Sequence, residues 1–70
     1  MKLEPFDFKS WRESMPKKMS KLRAAREIGL DKNAYNRYEK EGMCPRYIRL
    51  AALKVKELER DAFIYENLTG

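Results

Sequence analysis

Histidine is absent from these 70 residues, and cysteine occurs once, as Cys44. The first absence removes the commonest general base and the commonest metal ligand together. A single cysteine forms no intrachain disulfide and no zinc site of the Cys/His kind, which suits a reducing compartment. Without a histidine to activate it, Cys44 next to Pro45 is read as a buried or loop thiol, not a nucleophile. Glycine is scarce too. Gly29, Gly42 and Gly70 lie far apart, so no phosphate-cradling loop is written here. No stretch approaches the roughly 18 consecutive apolar residues of a membrane span. Met1-Lys2-Leu3-Glu4-Pro5 has no apolar run behind its lysine, so no signal peptide is expected. The acidic residues are scattered among lysines and arginines, as on solvated helix faces. Neither catalysis nor a cofactor nor a metal is expected, and the expected location is the cytoplasm.

What is present is charge, and it is uneven. The net charge is +5. Residues 1–40 hold 11 Lys and Arg against 6 Asp and Glu, while residues 41–70 hold 5 of each. A basic part joined to a neutral part suggests one surface for a polyanion and another for something else. The chain is short enough for one domain, residues 1–70, whose core buries only about 60% of the unfolded surface. Association into a dimer is a natural supplement to such a core.

The apolar spacing predicts an all-α bundle of four to five helices. A first helix is expected from Glu4-Pro5, with Asp7 in its first turn and Phe8, Trp11 and Met15 on one face, ended by Pro16. A second is expected over Ser20–Ile28, with Ser20 as N-cap, Leu22, Ala25 and Ile28 as its apolar stripe, Ala24 beside it and Gly29 as left-handed cap. A third follows over Asp31–Lys40, with Ala34, Tyr35 and Tyr38 inward and Gly42 ending it. Met43-Cys44-Pro45 is expected as a loop. A long fourth helix starts near Pro45 and carries Ile48, Ala51, Ala52, Val55 and Leu58 at helical spacing. Residues 20–42 thus read as helix, glycine turn, helix, which is helix-turn-helix geometry.

The outward side of the third helix holds Lys32, Asn33, Asn36 and Arg37. A helix fits the major groove of B-DNA. Asn pairs bidentately there with adenine, and Arg or Lys with guanine. These four are therefore the candidate base-reading residues, near the helix start where such residues sit. Lys17, Lys18, Ser20, Lys21, Arg23 and Lys40 flank them as candidate phosphate contacts, which position a protein without reading sequence. The apolar content of Leu58, Ala62, Phe63, Ile64 and Tyr65, within a neutral segment 54–70, points to a homodimer contact.

These residues resemble a known family. Pro5…Phe8-Lys9-Ser10-Trp11-Arg12-Glu13, Ser20…Ala24-Ala25-Arg26…Ile28-Gly29-Leu30, Asn33-Ala34-Tyr35-Asn36-Arg37-Tyr38-Glu39 and Pro45-Arg46-Tyr47-Ile48-Arg49-Leu50-Ala51 are together similar to the Cro/CI-like (XRE) helix-turn-helix proteins, especially short members from phages and mobile elements. The resemblance spans Glu4–Ala52. It implies a lambda-repressor-like fold and a double-stranded-DNA-binding repressor that acts as a homodimer on an inverted-repeat operator, often its own. It implies base contacts at Lys32, Asn33 and Arg37, a base or backbone contact at Asn36, and a phosphate contact at Lys21, where the family favours glutamine. It also implies an ion pair between Arg12 and Glu39 that braces the first helix against the reading helix. Small regulators encoded beside anti-CRISPR genes are a specific variant of this family and size. The connector Met15–Met19, about two residues longer than the family's, departs from the pattern, and Lys54–Gly70 matches none. Two other readings stand beside repression: an antitoxin with a similar domain, and a protein-binding inhibitor that uses the third helix.

Overall fold

Each of the first three helices starts at a short polar side chain held in extended conformation. Asp7 accepts a hydrogen bond from the Ser10 amide, Ser20 from the Arg23 amide and Asp31 from the Ala34 amide. Each satisfies one of the amides that a helix start leaves without an intrahelical partner. The computed structural model describes residues 2–69. Its elements are β1 (Leu3–Pro5), α1 (Phe8–Glu13), α2 (Lys21–Ile28), α3 (Lys32–Glu41), β2 (Met43–Pro45) and α4 (Arg46–Thr69). Residues 1 and 70, the ends of the expected domain, lie outside the described residues. The chain is mostly helical, with four helices among the described residues.

Two expectations are corrected here. The first helix does not begin at Glu4-Pro5, and residues 43–45 are not a loop. Those two stretches form an antiparallel ribbon instead, pairing Leu3 with Pro45, Glu4 with Cys44 and Pro5 with Met43. The all-α expectation therefore omits a small sheet. The physical reason is non-local. A proline at the edge of a strand loses nothing when its missing N–H faces solvent, and Pro5 and Pro45 occupy opposite ends of this register. The Phe6 amide extends the ribbon by donating to the Gly42 carbonyl at 2.9 Å. Helix α1 then starts only at the Asp7 cap and ends at Ser14, before Met15.

The turn between α2 and α3 follows from Gly29. Its φ of 88° is left-handed, its amide donates to the Ala25 and Arg26 carbonyls, and the Leu30 amide donates to Ala25 at 2.8 Å. This is a Schellman ending, in which Leu30 folds back onto the helix it leaves. A Cβ added at Gly29 would meet nothing within 4 Å. Gly29→Ala should therefore cost only backbone strain, about 1–2 kcal/mol, and Gly29→Asn less. Urea unfolding followed by the fluorescence of Trp11, the only tryptophan, measures both.

The core contains Phe8, Trp11, Met15, Met19, Ala24, Ala25, Tyr35, Cys44, Ile48 and Ala52. Phe8 sits at its centre, edge-on to Phe6, Trp11 and Tyr35 with ring centroids 4.7, 6.0 and 5.6 Å away. The Trp11 indole donates to the Ala52 carbonyl at 2.8 Å, which fastens α1 to α4. Ala24 and Ala25, not Leu22, are the buried residues of α2. Leu22 is 55% exposed, because small side chains at Ala24 and Ala25 let α2 approach its neighbours on that side. Helix α4 leaves the core before it ends, and residues 60–68 are exposed throughout.

Candidate nucleic-acid interface

Arg12, Glu39 and Tyr35 bring α1, α3 and the connector before α2 together. Arg12 Nη2 lies 3.5 Å from Glu39 Oε1, and Arg12 Nη1 donates to the Met19 carbonyl at 3.1 Å. Lys21 Nζ stands 3.7 Å from the same Glu39 oxygen. One carboxylate on α3 thus faces cations from α1 and from the first position of α2. Burial works against the Arg12 charge, but the hydrogen bond and charge of Glu39 outweigh it and raise its pKa further. Burial, and then the neighbouring Glu39 carboxylate, hold the Tyr35 phenol protonated far above its ordinary range. Arg12 Nε, Tyr35 Oη and Glu39 Oε2 lie buried around the pair without a partner at hydrogen-bond geometry.

Elsewhere on α3, Lys32, Asn33, Arg37 and Lys40 are exposed. Asn33, Arg37 and Lys40 stand at i, i+4 and i+7, one line along the helix. The Arg37 guanidinium rests over the Tyr38 ring, 5.9 Å from its centroid, which limits its sweep while leaving its donors outward. Asn36 departs from the expected outward placement. It is half-buried, and its Oδ1 is enclosed without a partner. It turns toward a cleft of about 380 Å³ lined by Lys9, Lys21, Asn36, Glu39 and Lys40. Three lysines from three helices therefore rim a single depression beside the exposed line of α3. Lys9 joins the candidate residues only through the fold. Its signal was available only as one more lysine in the basic part, since α1 alone does not show that it faces Lys21 and Lys40.

The remaining candidate phosphate contacts divide into two groups. Lys18 is exposed, and Ser20 spends its hydroxyl on the α2 cap. Lys17 and Arg23 are already engaged by α4: Lys17 Nζ with Glu66 at 3.3 Å, and Arg23 Nη2 with Glu59 at 3.2 Å. Arg23 also approaches Glu27 at 3.8 Å. Exposed pairs of this kind are worth about 0–1 kcal/mol, so an incoming anion could replace either carboxylate.

No family model, curated protein or solved structure matches this chain.

The five residues expected at a dimer contact do not share a face. At about 100° per residue, Leu58, Ala62 and Tyr65 fall on one side of α4, whereas Phe63 and Ile64 fall on two others. Ala62 and Phe63 line a small cavity of about 30 Å³ against Pro16 and Lys17 of their own chain. Among the described residues, no group of three or more His, Cys, Asp or Glu side chains could hold a metal, and no helix is long and apolar enough to cross a membrane. Cys44 is fully buried, and burial pushes its thiol pKa up, so it stays protonated at neutral pH.

Proposed function

We propose that the chain is a sequence-specific double-stranded-DNA-binding repressor of the Cro/CI-like kind, with α2 and α3 as its helix-turn-helix and α3 as its reading helix. The observation that carries this reading is the exposed line of Asn33, Arg37 and Lys40, with Lys32 exposed at the helix start, joined to a cleft rimmed by Lys9, Lys21 and Lys40. Asn33 and Arg37 supply the donors and acceptors that discriminate adenine and guanine in the major groove. The lysines supply phosphate contacts at the groove's edge, which set register and carry the salt dependence. Asn36, at the lip of the cleft, reaches either a base or the backbone. The Arg12–Glu39 contact fixes the angle at which α3 leaves the body.

A small domain with one set of base contacts has limited specificity, so the operator is an inverted repeat read by two copies. Occupying a promoter blocks RNA polymerase without any further activity. Repression of its own operon on a phage or mobile element, including one that carries anti-CRISPR genes, is the economical regulatory role.

Footprinting on the DNA upstream of its own gene tests this directly, with protection of an inverted repeat expected. Arg37→Ala and Asn33→Ala should each weaken operator binding by about 1–3 kcal/mol and relax preference at one base position. Lys40→Ala should instead weaken all DNA alike and lower the salt slope by about 1. Operator binding by Arg37→Ala as tight as the parent's would overturn the reading.

A further inference from the structure

The outer side of α4, turned away from the core, carries an ordered seam. Leu50, Leu53, Glu57, Arg60 and Ile64 alternate at spacings of three and four, and Leu68 continues the row. This is the a/d spacing of a helix that packs along another helix. Its apolar members are open in the single chain: Leu53 is 42% exposed, Leu50 and Ile64 49%, and Leu68 80%. The centre of the seam is charged, with an acid and a base three residues apart. Glu57 is only loosely engaged, 3.9 Å from Lys54, and Arg60 makes no ion pair among the described residues.

We propose that this seam is a self-complementary interface for a second copy of the chain, with the two α4 helices antiparallel about a two-fold axis. Reversing the helix sets Glu57 of one copy against Arg60 of the other, and the two-fold repeats the pair. The same register sets Leu53 against Ile64 and Leu50 against Asn67, beside Leu68 at the end of the seam. Lys54 and Asp61, a heptad apart on one flank, meet across the interface in the same reversal. A parallel arrangement does the opposite. It stacks Glu57 on Glu57 and Arg60 on Arg60, and like charges so placed cost several kcal/mol. The charge pattern thus selects both the partner and its direction. A partner of different sequence has no reason to carry the mirror order of charge and leucine.

Of the residues expected at a dimer contact from the sequence, only Ile64 belongs to this seam. The interface provides the second copy that the inverted-repeat reading calls for, but its test involves no DNA. Failure here leaves the base-reading proposal standing, and the reverse holds too.

The test is sedimentation equilibrium of the full chain from about 1 μM to 1 mM, a range that spans weak to moderate affinities. The parent is expected to pass from monomer to dimer. Arg60→Glu and Glu57→Arg should each weaken the dimer by about 100-fold or more, at roughly tenfold per 1.4 kcal/mol of repulsion. Because both positions are exposed, helical circular dichroism should not change. The double variant E57R/R60E should dimerise as the parent does. An equimolar mixture of the two single variants should form a heterodimer, since their charges again alternate. A parent that stays monomeric at 1 mM overturns the proposal, as does a dimer indifferent to Arg60→Glu or a double variant that fails to recover.

Discussion

Phe8→Ala is expected to cost about 3–5 kcal/mol, the range for removing a buried aromatic ring. Phe8 is fully buried and touches rings from three directions, with Tyr38 lying nearly parallel at 6.4 Å beyond the edge-on contacts. Each such pair adds about 0.5–1.5 kcal/mol beyond burial. A 70-residue domain commonly holds about 0.05–0.15 kcal/mol per residue of net stability, about 3.5–10 kcal/mol in all, so the loss is a third of it or more. Chemical unfolding followed by Trp11 fluorescence should show the midpoint lowered by a third or more at unchanged slope. Phe8→Leu retains most of the volume and should lose clearly less. A loss under about 1 kcal/mol for Phe8→Ala would mean that the aromatic cluster is not the centre of the core.

The second large effect is expected at Glu39. Glu39→Ala leaves Arg12 with an uncompensated charge at a site where the side chains of the pair are 16% and 11% exposed. Removing one partner of such a pair costs about 3–5 kcal/mol when burial is complete. With residual exposure and a 3.5 Å separation, the lower end, about 3 kcal/mol, is expected here. Arg12→Met should cost less than Glu39→Ala, because Lys21 still faces the carboxylate while the Met19 carbonyl loses its donor. The double variant Arg12→Met/Glu39→Leu should recover part of the loss, with a coupling of about 0.5–3 kcal/mol in a double-mutant cycle. Strict additivity would show that the contact contributes nothing, and that α1 and α3 are held by the aromatic cluster alone. DNA affinity gives a second readout. Arg12 touches both α3 and the stretch before α2, so its loss should weaken operator binding even in solutions where the domain remains folded.

Some failures of the sequence reading share one cause. Pro5 followed by Asp7 resembles a helix start, but the competing strand partner lies at Met43–Pro45, far along the chain. Leu22 is apolar at a helical spacing, yet the side of α2 that packs is set by where Ala24 and Ala25 permit close approach. Apolar content alone groups Leu58, Ala62, Phe63, Ile64 and Tyr65, and the helical periodicity of α4 spreads them over three sides. Helix α4 is one continuous run from Arg46 to Thr69, and the proposed seam begins on it at Leu50, inside the region assigned to the fold.

The chain itself determined the helix starts at Ser20 and Asp31, the left-handed stops at Gly29 and Gly42, the extent of α3 and the concentration of positive charge in the first 40 residues. Those features depend on hydrogen bonds and dihedral preferences that act over three or four residues, so local sequence suffices. The tertiary structure decided the β1–β2 ribbon, the gathering of Lys9, Lys21 and Lys40 around one cleft, the contact between Arg12 and Glu39, and which side of α4 remains uncovered. Each of these joins residues distant in sequence. Their proximity follows from how the aromatic cluster around Phe8 packs three helices together, and no local preference encodes that.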